Sequence, residues 1–164
     1  MRLRKGAGAV LSMGVLAGLA AAQSVSPKGV TQRIVGELEI RHEQGGIARY
    51  DFAPADHVVG GDHLLYTVEI RNTTGRALDQ VVVISPIPER VTYVAESAVG
   101  PGCDIDFSAD GGQSFGRPSE LTVKLPAGQS RVATAADYTH IRWKLRYELS
   151  GTSTAFARFR AVLK

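Results

Sequence analysis

The stretch that decides the fold is IRWKLRYEL, residues 141–149. Apolar and charged side chains alternate through all of it. One predicted face carries Ile141, Trp143, Leu145, Tyr147 and Leu149, and the opposite face carries Arg142, Lys144, Arg146 and Glu148. A period of two over this length is typical of a β-strand with one buried face. The sequence therefore predicts a strand here, with Trp143 in the core.

Two further segments repeat this pattern. In LLYTVEIR, residues 64–71, the even-numbered residues Leu64, Tyr66, Val68 and Ile70 are predicted to point inward and Leu65 outward. In AFARFRAVL, residues 155–163, the predicted inward set is Ala155, Ala157, Phe159, Ala161 and Leu163. Shorter candidate strands begin at Ile34, Ile47, Val81, Val91, Asp104 and Leu121, which makes about nine in all.

Glycine-rich and Asn- or Asp-containing turns separate these strands at intervals of about ten residues. This spacing predicts an all-β fold, an antiparallel β-sandwich of about seven to nine strands. The apolar run VVVI is followed by Pro86 and Pro88, which are expected to end its strand. Outside the N-terminal segment, only residues 133–138, ATAADY, could form a helical turn.

The first 22 residues have the features of a cleavable signal peptide. Arg2, Arg4 and Lys5 precede an apolar run that ends in Ala20-Ala21-Ala22, so cleavage is predicted before Gln23. An uncleaved anchor is the alternative, but the run is shorter than the ~20 residues that span a bilayer. We expect an exported chain, periplasmic or secreted, with one domain at residues 23–164 and no membrane span after cleavage.

Cleavage also changes the charge of the chain. The full sequence has 19 Lys and Arg against 16 Asp and Glu, and three of the cations lie in the signal peptide, which leaves 16 against 16. A balanced chain has no net field that attracts phosphate, so no nucleic-acid partner is expected.

The GQSFG motif, residues 112–116, has the G-x-S-x-G spacing of a hydrolase nucleophile elbow. Such an elbow needs a strand before the serine and a helix after it. Ser114 instead follows Asp110-Gly111-Gly112, and its downstream flank has no adequate helix. Although Ser114, His140 and Asp137 could be combined as a triad, the sequence does not favour an enzyme.

The carboxylates near this motif could form a calcium-binding site. Asp104, Asp106 and Ser108 share one predicted strand face, with Asp110 close behind, but the sixth and twelfth positions counted from Asp104 do not fit an EF-hand. A loop site of another kind stays open, with a solvated polar face as the simpler interpretation. The histidines His42, His57, His63 and His140 lack zinc-site spacing, so no metal or other cofactor is expected.

The interpretation that fits residues 108–115 best is a folded hairpin. Its pattern is Ser108, Asp110, Gly112, Ser114 and Phe115. Asp110 is predicted to accept hydrogen bonds from backbone amides across the turn, and the glycines to take positive φ. The pattern resembles the Asp-box hairpins of sialidases, in which its role is structural.

Three other polar features have structural interpretations. Asn72 begins an N-x-T sequon, but a turn explains it equally well and is preferred. Glu37 and Glu39, two apart on one strand, are predicted to lie on a solvated face. Cys103 is the single cysteine, so no intrachain disulfide can form; it is placed in a loop as an incidental thiol, with pairing between chains left open.

Several motifs occur in the order found in a known bacterial family. They are Gly61, Asp62, Tyr66, Thr67, Asn72 and Gly75, then Pro86, Pro88, Tyr93, Val94, Ser97 and Ala98, and finally Trp143. Over residues 56–163 the chain resembles the surface-repeat family known as domain of unknown function eleven. The resemblance implies an immunoglobulin-like sandwich in exported or envelope-associated proteins, often in tandem copies, with no catalytic residues. We expect a single copy here.

The function expected from these observations is a non-catalytic module of the cell envelope, structural or protein-binding. The least costly way for it to bind another protein is the pairing of an exposed strand edge with an extended segment. A glycan- or small-ligand-binding module is the alternative, and a serine hydrolase that uses Ser114 comes third. The partner and the oligomeric state are left open by the sequence.

Overall fold

The computed structural model describes residues 25–126 and 128–164, which form an all-β fold. The predicted signal peptide and its cleavage site lie outside these residues. The ten strands are β1 (Val30–Gln44), β2 (Ile47–Pro54), β3 (His63–Asn72), β4 (Val82–Pro86), β5 (Val91–Tyr93), β6 (Cys103–Ser108), β7 (Thr122–Lys124), β8 (Ser130–Val132), β9 (His140–Leu145) and β10 (Thr154–Leu163). A single 3₁₀ turn at Ala135–Asp137 falls within the segment predicted to form one helical turn. Among the described residues, no helix has the length and apolar character needed to cross a bilayer.

The strands form three antiparallel sheets. The largest has the order β2-β1-β3-β10-β5, the second has the order β4-β9-β6, and β7 pairs with β8 in a small third sheet. The prediction of an all-β antiparallel fold is confirmed. The predicted number of strands is slightly low, because the three exposed residues of β8 show no apolar alternation.

The core lies between the two larger sheets and is built around aromatic rings. Phe159 of β10 stacks on Tyr66 of β3 with ring centroids 4.9 Å apart, and its centroid is 6.4 Å from that of Trp143 on β9. On the other side, Phe107 of β6 lies 5.3 Å from Tyr93 of β5. Trp143 and Phe159 are completely buried, as the alternation predicted. These contacts join the two sheets face to face.

Within residues 141–149, Tyr147 points to solvent and not to the core. β9 ends at Leu145, after which the backbone N–H of Arg146 bonds to the carbonyl of Gly102 and the chain bends. Leu149 re-enters the core through a bridge to Leu78, but Tyr147 is exposed. The prediction that Tyr147 points inward is wrong, because the strand breaks before it.

Leu65 of β3 points outward, as predicted, but is buried. Leu64, Tyr66, Val68 and Ile70 face the core as expected, yet Leu65 is buried on the opposite face of the sheet. Its neighbours in register are Glu37 on β1 and Arg160 on β10. The alkyl parts of such long side chains can cover an apolar neighbour while their charges stay in water.

The β1–β2 hairpin projects beyond the body of the domain. The pairing of β1 with β3 ends at Leu38, opposite Leu64, and residues 39–44 of β1 pair with β2 alone. We call residues 39–52 the arm. Gly45 and Gly46 turn the chain at its tip with φ of +62° and +78°, which suit a two-residue hairpin loop. Apart from the buried side chain of Glu39 at its base, the arm is largely exposed to solvent.

Candidate functional site

The GQSFG motif lies on a hairpin that Asp110 holds closed. Phe107 and Gly116 exchange both of their backbone hydrogen bonds at the base of the hairpin. The Oδ1 atom of Asp110 accepts the backbone N–H groups of Gln113 at 3.1 Å and Ser114 at 3.0 Å, while its Oδ2 atom accepts the Ser114 hydroxyl at 2.5 Å. The predicted hairpin, with Asp110 as its backbone acceptor, is confirmed.

Ser108 supplies the other half of this arrangement. It is fully buried, donates its hydroxyl to Asp110 at 2.7 Å and accepts the backbone N–H of Gly112 at 2.9 Å. Gly111 and Gly112 have φ of +76° and +86°, as expected for this turn. Together the donors, led by the Ser114 hydroxyl, lower the pKa of Asp110 to about 2. Asp110 is therefore a charged structural acceptor at neutral pH.

The three residues that could form a triad have separate partners. Ser114 donates to Asp110, the Nδ1 atom of His140 lies 3.1 Å from the Thr139 hydroxyl, and Asp137 is held by Arg131 and Thr134. Burial lowers the pKa of His140, which the charge of Asp110 partly offsets. In the part of the chain that the structure describes, no hydrogen bond joins Ser114, His140 and Asp137. These contacts support a structural role for Ser114.

The carboxylates considered for calcium are held by cations of the protein. Asp106 accepts Arg142 at 2.6 Å and Lys144 at 2.8 Å from the neighbouring strand β9. Burial alone would raise the pKa of Asp106, but the bonds and charges of these two cations outweigh it and lower the pKa. Asp104 lies 3.6 Å from Arg146. No metal-binding group of three acidic, His or Cys residues occurs within the described ranges.

The interpretation of this strand face as solvated is wrong for two of its residues. Asp106 and Ser108 are both buried: Arg142 donates to Asp106, and Ser108 bonds to Asp110 and Gly112 within the hairpin. The guanidinium carbon of Arg142 lies 4.5 Å from the centre of the Phe115 ring. This cation–π contact links the hairpin to β9. Arg142 was predicted only as an outward charge, and the sequence has no signal that would place it over Phe115.

Cys103 begins β6 and does not lie in the predicted loop. It pairs with Leu145 of β9 and is half-buried. Burial raises the pKa of its thiol, although Arg146 partly opposes this effect. A raised pKa keeps the thiol protonated at neutral pH, which is the opposite of what a nucleophilic cysteine needs.

Asn72 is a buried connector between two turns. Its amide Nδ2 donates to the carbonyls of Arg76 and Leu149 at 2.8 Å and of Ser150 at 3.1 Å, and its Oδ1 accepts from the N–H and hydroxyl of Thr74. The side chain is completely inaccessible to solvent. The turn interpretation of this segment is confirmed, and a glycan on Nδ2 would have to displace these bonds.

Glu39 at the base of the arm is not solvated. Its carboxylate accepts the Nε–H of Arg160 on β10 at 2.5 Å, and only 7% of the side chain is exposed. The pair ties β1 to β10 across the outer face of the large sheet. The prediction of a solvated Glu39 is therefore wrong, because a cation two strands away covers it.

The chain matches no protein-family model, curated protein or solved structure. The family resemblance of residues 56–163 therefore stays a prediction.

The arm carries the most concentrated group of exposed apolar side chains. Ile40, Ile47, Tyr50 and Phe52 are between 37% and 64% exposed. The sequence predicts both strands of the arm but not their projection, because the alternation of one strand does not reveal where its neighbours end. Gly45-Gly46 between two alternating segments was the available signal for the hairpin itself.

A second surface feature is a shallow depression on the outer face of the large sheet. It has a volume of about 350 Å³ and is open to solvent. Its lining consists of Phe156, Thr67, Val35 and the charged residues Arg33, Glu37, Glu69 and Arg158. Phe156 is half exposed and is the aromatic side chain of this surface.

Proposed function

We propose that this protein is an exported, immunoglobulin-like β-sandwich of the bacterial cell envelope that acts by protein contact and not by catalysis. Three kinds of observation support the proposal. They are the features of residues 1–22, the two antiparallel sheets packed around Trp143, and the ordered motifs shared with the surface-repeat family.

The residues that carry the family resemblance have structural contacts in this chain. Asn72 connects two turns, Pro86 ends β4, and Trp143 fills the core. The hydroxyl of Tyr93 accepts the backbone N–H of Ala98 at 3.0 Å. A set of motif residues that maintains turns and packing is what a structural or binding module requires.

The observation that carries the contact function is the exposed arm. An isolated two-stranded ribbon is only marginally stable in water, and this one also exposes Tyr50 and Phe52. Exposed aromatic side chains on a protruding edge are typical of protein interaction sites. We therefore place the contact surface on the arm.

The test is the recovery of a defined protein from envelope fractions by the tagged mature chain. Tyr50→Ser should abolish that recovery, whereas Tyr147→Ser, which removes an equally exposed tyrosine outside the arm, should leave it unchanged. Equal recovery by both variants would move the contact surface away from the arm. Recovery of no specific protein would contradict the contact function.

A glycan- or small-ligand-binding module is the second candidate, and the depression beside Phe156 favours it. A half-exposed aromatic ring flanked by carboxylates and guanidinium groups suits the apolar and hydroxyl faces of a sugar. Saturable binding on a glycan array that Phe156→Ala removes would support this candidate. Identical array profiles for the unmodified chain and the Phe156→Ala variant would exclude glycan binding at this depression.

A further inference from the structure

We propose that the mature chain forms a two-fold symmetric homodimer in which β2 pairs antiparallel with β2 of a second copy, centred on Tyr50. The inference rests on the proposed contact function in that it uses the same arm, but it names the partner and the register. The dimer would join the two large sheets into one continuous sheet through their arms.

The edge of β2 is open. β2 has one neighbour, β1, and seven of its eight residues are exposed. The other edges differ: Val25 forms a bridge to β4, Gly116 forms one to β6, and β5 is only three residues long. Within the described residues of the two large sheets, β2 offers a longer uncovered edge, eight residues, than residues 39–44 of β1, and such an edge is a template for another strand.

The geometry of the arm shows which backbone groups face that edge. Gln44 and Ile47 pair across the two-residue loop Gly45-Gly46. Such a loop closes on a hydrogen-bonded pair, and hydrogen-bonded and non-hydrogen-bonded pairs alternate along the hairpin from there. The residues whose N–H and C=O groups point outward are therefore Ala48, Tyr50 and Phe52.

A two-fold axis at Tyr50 satisfies all of these groups. Tyr50 would exchange both hydrogen bonds with Tyr50 of the second copy, and Ala48 would exchange both with Phe52 of the second copy. Their side chains share the outer face of the sheet, so the small Ala48 leaves room for the Phe52 ring. The register buries the two most exposed aromatic side chains of the arm against the second copy.

The charges of β2 fit the same axis. Arg49 and Asp51 flank Tyr50, so an antiparallel second copy sets each Arg49 opposite the other copy's Asp51. These would be non-hydrogen-bonded pairs, in which opposing side chains are closest. Both residues are exposed, and Asp51 already lies 3.1 Å from His42 within its own arm.

Other registers do not combine these features. An axis at Arg49 or at Asp51 sets like charges directly opposite each other and also directs the wrong backbone groups across the interface. An axis at Ala48 or Phe52 directs the free N–H and C=O groups across the interface, but it does not set Arg49 opposite Asp51 of the second copy. The sequence of β2 is thus self-complementary about Tyr50.

Charge reversal tests this register in the tagless mature protein. Sedimentation equilibrium over about 1 to 200 µM suits an interface of this small size. Asp51→Arg and Arg49→Asp should each raise the dimer dissociation constant at least about tenfold, because each sets two like-charged pairs across the axis. The double variant should return it to within about threefold of the unmodified chain. Glu148→Arg makes the same charge change as Asp51→Arg but lies outside the arm, so it should leave the dimer dissociation constant unchanged.

Cross-linking tests the axis itself. In a Cys103→Ser background, Tyr50→Cys sets two thiols opposite each other within disulfide reach and should give a dimer under mild oxidation. Phe52→Cys sets its thiol opposite Ala48 of the second copy and should not. A monomer at all concentrations, or double-variant affinity as weak as that of the single variants, would overturn the homodimer.

The outcomes for the two proposals are separable. A monomeric chain that still recovers an envelope protein through Tyr50 would overturn the homodimer and leave the contact function intact. A charge-reversible dimer that recovers no envelope protein would support the homodimer and contradict the proposed contact with another protein.

Discussion

At the scale of single residues, polar side chains with several partners hold the turns of this molecule. Asn72 bonds to two turns that are far apart in sequence, and Asp110 gathers four donors within one hairpin. The role of Asp110 could be predicted, because glycines and hydroxyl residues surround it at fixed spacing. The long-range partners of Asn72 could not be predicted, because no pattern in the sequence around Asn72 indicates contact with Leu149 or Ser150.

We expect Asn72→Ala to lower the free energy of unfolding by about 3 kcal/mol, because it removes a completely buried side chain whose hydrogen bonds join the turn at Arg76 to the turn at Leu149 and Ser150. Urea denaturation measures the change. Thr73→Ala, which removes one exposed hydrogen bond next to it, should cost less than about 1 kcal/mol. Equal losses for the two variants would contradict the connecting role of Asn72.

Asp110 should make stability depend on pH in acid. Its pKa of about 2 in the folded chain lies below the ordinary value of 3.8, so its stabilisation is complete above pH 4 and is lost as the pH falls towards 2. We expect Asp110→Asn to lower the melting temperature at pH 7 and to flatten its decline between pH 4 and pH 2. Because Asp110 is exposed, the effect should be limited to roughly 1 kcal/mol.

Thermal denaturation at several pH values, followed by circular dichroism, tests this expectation. Glu148→Gln removes an exposed carboxylate elsewhere and serves as the control. If Asp110→Asn and the unmodified chain lose stability in parallel between pH 4 and pH 2, the hydrogen bonds of Asp110 contribute nothing to folding.

At the scale of elements, alternation predicted most strands and their inward faces, as β3, β9 and β10 show. It failed where the backbone changes course or where pairing decides exposure. Tyr147 continues the pattern of β9, but the chain has already bent away. Leu65 and Glu39 lie on the outer face, but residues of other strands in the same sheet cover them. These outcomes depend on neighbours that the local sequence does not encode.

Trp143 on β9 provides a test of core packing. It is fully buried, and its indole N–H has no hydrogen-bond partner among the described residues. Trp143→Ala should destabilise the fold by about 4 kcal/mol. Trp143→Phe should cost only about 1 kcal/mol. A buried donor without a partner destabilises the fold by about 1–3 kcal/mol, so its removal offsets part of the lost packing.

Circular dichroism in urea distinguishes these outcomes without relying on the tryptophan itself. Losses of equal size for Trp143→Phe and Trp143→Ala would show that the shape of the indole, and not its apolar area, determines stability at this position.

At the scale of the whole molecule, export is the property that the sequence predicts most directly. We expect the mature chain recovered from an expressing bacterium to begin at Gln23, as intact-mass spectrometry would show. Ala22→Arg should block processing, because the cleavage site requires small residues, whereas Ser12→Ala should not. If the unmodified chain and the Ser12→Ala variant both still started at Met1, the signal-peptide prediction would be contradicted.

Burial of Trp143 at the centre of the sandwich gives the protein a built-in optical reporter. It is the single tryptophan of the chain, and no part of it is in contact with water. Its fluorescence should therefore be emitted at short wavelength while the two sheets are joined and should shift to the red only when they separate. Trp143 lies on β9 of the second sheet and contacts Phe159 of β10, whereas the arm is formed by β1 and β2 at the far edge of the large sheet, so events on the arm would leave the emission wavelength unchanged.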